Sequence, residues 1–264
     1  MTAIVVFDID GVIRDVSGSY RRALADTVEQ FTQGGYRPTP QDIDRLKGEG
    51  LWNNDWEASQ ELIYRFFEQE GQARSSVNLN YQDIVAYFQS KYRGTDQSNP
   101  ANWDGYIRDE PILASLDYFD GLTNGNIYWG FFSGATRGSA SYILQTRLEL
   151  RDPVLIAMED APGKPDPTGL FMAIERLNIP GDRGNSLPII YVGDTVADMY
   201  TVDRAKTLHP DREFIGVGVI PPHINQDSQQ LADYTAILET AGAKLVLNNV
   251  QELTPDAIAA SLLA

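Results

Sequence analysis

The chain has 264 residues, 42% hydrophobic and 10% aromatic, enough apolar material for one large domain or a core with a smaller companion. Its 37 acidic residues outnumber the 21 basic ones, and the formal net charge of −16 argues against nucleic acid and anionic membranes as partners. Cysteine is absent, which excludes disulfides, thiolate metal sites and cysteine nucleophiles; two histidines, His209 and His223, are too few for a histidine-rich metal centre and are expected on the surface or in loops.

Residues 3–7, Ala-Ile-Val-Val-Phe, read as a buried strand that ends in Asp8-Ile9-Asp10-Gly11. This start has no basic region and meets charge before a signal-peptide core could form. No apolar run is long enough to span a membrane, so a cytoplasmic protein is expected. Helical spacing follows over 17–35, through Tyr20, Leu24, Val28 and Phe31, and Gly34-Gly35 stops it. Further helices are predicted after Thr39-Pro40, over 54–69 and over 81–92, with no strand between 15 and 105. The pattern then alternates. Helices are expected at 111–119, 139–148, 168–177, 197–205 and 231–240. Strands are expected at 127–132, 154–158, 189–192, 214–219 and 244–247.

Such alternation implies an α/β fold, a doubly wound and mostly parallel sheet with helices on both faces. Residues 1–14 and 106–264 form the expected core, and 15–105 an inserted α-helical cap placed over the sheet.

Ligands of open α/β sheets bind beyond the carboxyl ends of the strands. The polar residues there are Asp8 and Asp10 after the first strand, Ser133 after the second, Lys164 in the loop after the third and Asp194 after the fourth. Hard carboxylate oxygens beside a cation suit Mg2+ together with a substrate phosphate. A carboxylate can also attack phosphorus to give an aspartyl-phosphate. A second acid two residues on, turned by a bend at Gly11, could protonate the leaving oxygen and then activate water.

Four motifs in order carry a family resemblance: Phe7-Asp8-Ile9-Asp10-Gly11, Phe131-Phe132-Ser133-Gly134, Gly163-Lys164-Pro165-Asp166-Pro167 and Val192-Gly193-Asp194-Thr195-Val196-Ala197-Asp198. Over almost its whole length the chain resembles the haloacid dehalogenase (HAD) superfamily of phosphohydrolases, in the branch with a helical cap between the first two motifs. The resemblance implies that Asp8 is the nucleophile and a magnesium ligand. Asp10 would be the general acid/base and offer its backbone carbonyl to the metal. Ser133 and the Gly134 N–H would bind the phosphoryl group. Lys164 would stabilise the phosphoaspartate, Asp194 would be the other carboxylate ligand, and Asp198 would lie one layer out, orienting a metal-bound water or Lys164. Relatives that cleave carbon–halogen bonds lack an acid at the position of Asp10, so its presence favours phosphoester chemistry. The implied activity is hydrolysis of a small phosphorylated metabolite.

Structural readings stand beside these. Ser133 could be a helix N-cap, and Asp198 falls in a first helical turn where an acid is favoured anyway. Residues 47–56, with Lys47, Trp52, Asn53 and Asn54, could form a substrate-specificity loop or a plain helix connector. Arg14, just after the first motif, could reach substrate, but a solvated side chain is expected there. A phosphomutase would use the same core motifs, and a non-catalytic binding or regulatory protein would have no need of all four.

Overall fold

A computed structural model describes residues 3–47, 49, 51–52, 54–180, 186–224 and 228–262. The chain divides into two compact units, Met1–Asp15 with Pro111–Ala264, and Val16–Glu110.

The first unit is built on a six-stranded sheet whose paired neighbours are all parallel. In chain order the strands are β1 (Ala3–Phe7), β2 (Ile127–Phe132), β3 (Leu155–Ile156), β4 (Ile189–Gly193), β5 (Phe214–Val219) and β6 (Ala243–Leu247). Their spatial order is β3-β2-β1-β4-β5-β6. Every residue of β1, β4 and β5 is buried, as continuous apolar runs covered on both faces should be. β6 is an edge strand and is less apolar; its Lys244 is exposed and donates to the Leu262 carbonyl at 2.6 Å. Because β2 and β4 both pair with β1, the chain crosses over at the middle of the sheet. The ends of β1, β2 and β4 therefore lie side by side.

Three expectations are corrected in this unit. The helix expected at 111–119 runs over Leu116–Asn124, because Ser115 accepts the Tyr118 N–H and sets the start. The residues before it hold extended contacts: Ile112 bridges Arg14, and Leu113 N donates to the Ile13 carbonyl at 2.8 Å. The strand expected at 154–158 shrinks to two residues, since Ala157 N donates to the Asp160 carboxylate and Met158 N to the Ala135 carbonyl rather than to a ladder. The helix expected at 139–148 begins at Arg137 and widens into a π-turn over Tyr142–Arg147. A C-terminal helix, Pro255–Ser261, was not anticipated, although Thr254-Pro255 is a cap followed by proline in the first turn.

The second unit contains the helices Tyr20–Phe31, Pro40–Lys47, Asp55–Gln69 and Tyr81–Tyr92. No strand occurs among its described residues. Leu24, Val28, Leu62, Ile63, Ile84 and Phe88 are buried between these helices, and the Tyr20 and Tyr92 rings stack at 4.2 Å. Among the described residues of either unit, no helix is long and apolar enough to cross a membrane.

Candidate active site

β1 delivers Asp8 to the sheet's carboxyl end. Its N–H continues the ladder to the Val192 carbonyl at 2.8 Å, and its Oδ1 accepts the Ile9 N–H at 2.7 Å. The other oxygen, Oδ2, lies 2.6 Å from Lys164 Nζ. Burial pushes the Asp8 carboxyl up to about 6, and the neighbouring Asp198 and Asp10 push in the same direction, against the pull of Lys164. Burial would lower Lys164, but Asp198 and Asp8 raise it well above its ordinary value. The lysine is therefore a firm ammonium ion between two carboxylates.

Asp194 follows β4. Its carboxyl is also raised well above the usual range, by burial first and then by Asp198 and Asp8. Two glycines make room for this crowding. Gly11 has φ +75°, and a Cβ there would lie 2.0 Å from Asp194 Oδ2. A Cβ on Gly193 would lie 2.3 Å from the Asp198 carboxyl carbon. Only glycine lets the two motif backbones approach the two side chains this closely.

Asp198 is fully buried and engages both of its oxygens. Oδ2 accepts the Thr195 N–H at 2.9 Å and its hydroxyl at 2.6 Å, completing a capping box on the Val196–Leu208 helix. Oδ1 accepts Lys164 Nζ at 2.5 Å and the Tyr191 hydroxyl at 3.2 Å. The first-turn reading of Asp198 and its placement beside Lys164 thus hold together.

One oxygen from each of Asp8, Asp194 and Asp198 falls within 4.8 Å of the others, and this set could hold a metal ion. All-oxygen donors of this kind fit Mg2+. The Asp198 oxygens already accept four hydrogen bonds, from Thr195, Lys164 and Tyr191, against two contacts for Asp8, so Asp198 has the least left to offer an ion. Asp10 is outside this cluster of side chains. Its Oδ1 accepts Arg14 Nε at 2.6 Å, and Arg14 is completely buried, which corrects the expectation of a solvated arginine.

Ser133 ends β2 and is buried. Its Oγ accepts the Ala135 N–H at 3.2 Å. Thr136 occupies the N-cap position of the next helix, so Ser133 is not its N-cap. Gly134 is exposed, and a Cβ there would meet nothing within 4 Å, so packing does not demand glycine. The Lys164-Pro165 peptide is cis, and Pro167 leads into the helix Thr168–Arg176.

Two tyrosines escaped the sequence reading. Tyr191 sits within β4, where it looks like any strand residue, yet its hydroxyl lies 3.1 Å from the Phe132 carbonyl as well as against Asp198. Tyr234, from the helix Ser228–Thr240, donates to the Asp194 carbonyl at 2.7 Å. In the second unit, Lys47 pairs with Asp55 at 2.7 Å and Trp52 Nε1 donates to Glu49 at 2.9 Å. Asn54 caps the Asp55–Gln69 helix by accepting from Trp56 N and Glu57 N. Asn53 lies outside the described residues.

A parallel sheet with clustered aspartates and a lysine at its carboxyl edge defines a class of α/β hydrolases. The sequence model of the haloacid dehalogenase-like hydrolases matches residues 2–202, and the chain belongs to that family. An imidazoleglycerol-phosphate dehydratase of Phytophthora nicotianae is 29% identical over 248 residues, covering 92% of this chain. The match takes in 49% of that protein, so the chain spans about half the length of the relative. Among solved structures, phosphatase Tt82 from Thermococcus thioreducens superposes with a TM-score of 0.63 at 21% identity, over 81% of this chain and 92% of that one. CbbY from Rhodobacter sphaeroides, in complex with phosphate, gives 0.62 at 16% identity over 96% of both chains. These two likenesses establish the fold.

Proposed function

We propose that the protein is a Mg2+-dependent phosphatase that hydrolyses a small phosphomonoester through an aspartyl-phosphate on Asp8. The observation that carries this reading is the contact of Asp8 Oδ2 with Lys164 Nζ at 2.6 Å beside the Asp194 carboxylate. A buried carboxylate flanked by a cation and a metal-ready acid is what attack on an anionic phosphoryl group requires.

In the first half-reaction an Asp8 oxygen forms a bond to phosphorus while the ester P–O bond breaks. The departing oxygen takes a proton from the Asp10 carboxyl and leaves as an alcohol. In the second, water attacks phosphorus and gives its proton to Asp10. The P–O bond to Asp8 breaks, so inorganic phosphate leaves and both aspartates return to their starting states. Ser133 and the Gly134 N–H bind the phosphoryl oxygens, and Lys164 balances the charge gathered on Asp8 and Asp198. Asp8, Asp194 and the Asp10 backbone carbonyl would hold Mg2+, whose charge offsets the repulsion between carboxylate and phosphate. The helical segment 15–105 is the proposed cap, and Lys47, Trp52, Asn53 and Asn54 are its candidate substrate-selecting residues.

Purified protein should release phosphate from p-nitrophenyl phosphate with Mg2+, lose this activity to a chelator and regain it when Mg2+ is restored. Asp8→Asn should cut kcat by about 10³-fold or more with the fold intact. Full activity in that variant, or indifference to the chelator, would refute the mechanism. A screen of phosphorylated metabolites, read for free phosphate against isomerised product, would identify the substrate and separate hydrolysis from mutase chemistry. Imidazoleglycerol phosphate, which the Phytophthora relative's name carries, belongs in that screen.

A further inference from the structure

We infer that Arg14 is a positioning residue for proton transfer by Asp10: it fixes one carboxyl oxygen and leaves the other to exchange the proton with the leaving group. The inference rests on the phosphatase reading above and extends it to a residue outside the four motifs.

Arg14 is 0% exposed, whereas the Asp10 side chain keeps 29% of its surface accessible. The guanidinium thus grips the carboxyl from its protein side while the acid still faces accessible space. Nε lies 2.6 Å from Asp10 Oδ1, the separation of a strong charge-assisted bond. Both ends of the contact stand on a constrained backbone. Asp10 and Arg14 form a bridge, Gly11 N donates to the Arg14 carbonyl at 2.9 Å, and Arg14 N donates to the Ile9 carbonyl at 3.1 Å. Ile112 bridges Arg14 from the other side. The turn that aims Asp10 therefore also carries the cation that holds it.

Stability is not the only role open to a charge at this place. Burying a guanidinium carries a desolvation cost, and apolar residues of similar volume commonly replace buried ion pairs without loss. Geometry at a reacting group has a different weight: small misplacements of a proton donor cost large factors in rate, and general acid catalysis contributes about 10²–10⁴-fold. A guanidinium suits this task because it stays charged at any working pH and its Nε donor is held rigidly by the planar group.

The test compares kcat/KM for an alkyl phosphate, whose alkoxide must be protonated as it leaves, with that for p-nitrophenyl phosphate, whose phenolate leaves unaided. Since kcat/KM reports the steps through departure of the leaving group, it isolates the acid role. Arg14→Met should lower the alkyl-to-aryl ratio by about 10–100-fold. Asp10→Asn should lower it as well, and adding Arg14→Met to that variant should change it by no more than about two-fold, because the arginine acts through the acid. If Arg14→Met does not fold by circular dichroism, Arg14→Lys takes its place, with the ratio again expected to fall. A purely structural role would depress both esters equally, and an unchanged ratio in the folded variants overturns the inference. Activity surviving Asp8→Asn would instead bring down the phosphatase reading itself. Dependence on Asp8 with an unmoved ratio removes only the role given to Arg14.

Discussion

At the scale of single residues, the site is a problem of crowded negative charge. Without a divalent ion, Asp8 is raised from 3.8 to about 6. The stability linked to this group is complete below 3.8 and is lost as pH rises through about 6. A divalent ion binds the deprotonated carboxylates, so its stabilising effect should grow over the same interval. Calorimetry should show a larger rise in Tm from millimolar Mg2+ at pH about 7.5 than at about 5, and equal rises would contradict the assignment. Gly11→Ala should act on the same cluster by another route. The left-handed φ costs roughly 1–2 kcal/mol with a Cβ, and that Cβ would fall on Asp194 Oδ2. We expect weaker Mg2+ binding by titration calorimetry together with a lower Tm. The convergence of Asp8, Lys164 and Asp194 could be read from the sequence because each follows a strand, and strand ends of a parallel sheet share one rim. Tyr191 could not be read this way, since its hydroxyl matters only through what lies across the neighbouring strand. Arg14 left one faint trace, an acid and a base four residues apart, which in a surface helix would mean little.

At the scale of elements, caps join local structure to the site. Thr195 and Asp198 cap one helix, and the same Asp198 holds Lys164. Thr195→Ala should therefore cost about 1 kcal/mol of stability and also reduce activity, because the Asp198 carboxylate loses the Thr195 hydroxyl, one of its four partners. A stability loss with unchanged kcat would show that Lys164 holds its place without the cap. Asn54 allows a contrasting measurement in the other unit. Asn54→Ala should lower stability by about 1 kcal/mol, while Asn54→Asp, also a good cap, should stay within a few tenths; urea unfolding reads both. A KM that shifts in Asn54→Asp at unchanged stability would support the contact with substrate. Long periodic helices and fully apolar strands were legible in the sequence. The errors fell where tertiary contacts decide, as at Ile112, whose apolar spacing fits a helix but whose backbone bridges Arg14. They also fell at Ala157, whose N–H is drawn from the ladder by Asp160.

At the scale of the molecule, a net charge of −16 opposes the approach of an anionic ester. Raising ionic strength from low values to about 0.15 M should therefore increase kcat/KM for a doubly charged phosphate, since screening shortens the reach of that repulsion. A decrease would mean that local cations, Lys164 foremost, outweigh the overall field during approach. The α/β order was legible because strands and helices alternate outside residues 16–110. The sheet's spatial order was not, because it depends on which strands find β1. That central position has a consequence for synthesis. β1 is completely apolar and is made before either neighbour, and β4, one of its flanks, begins at Ile189. At ribosomal rates of about 5–20 residues per second, the strand waits roughly 10–40 seconds for that partner. The segment that leads to Asp8 is thus the one exposed longest to misassociation, and pulse-labelled hydrogen exchange should find the Ile4 and Asp8 amides, which donate to the Pro188 and Val192 carbonyls, protected only when the β4 amides are.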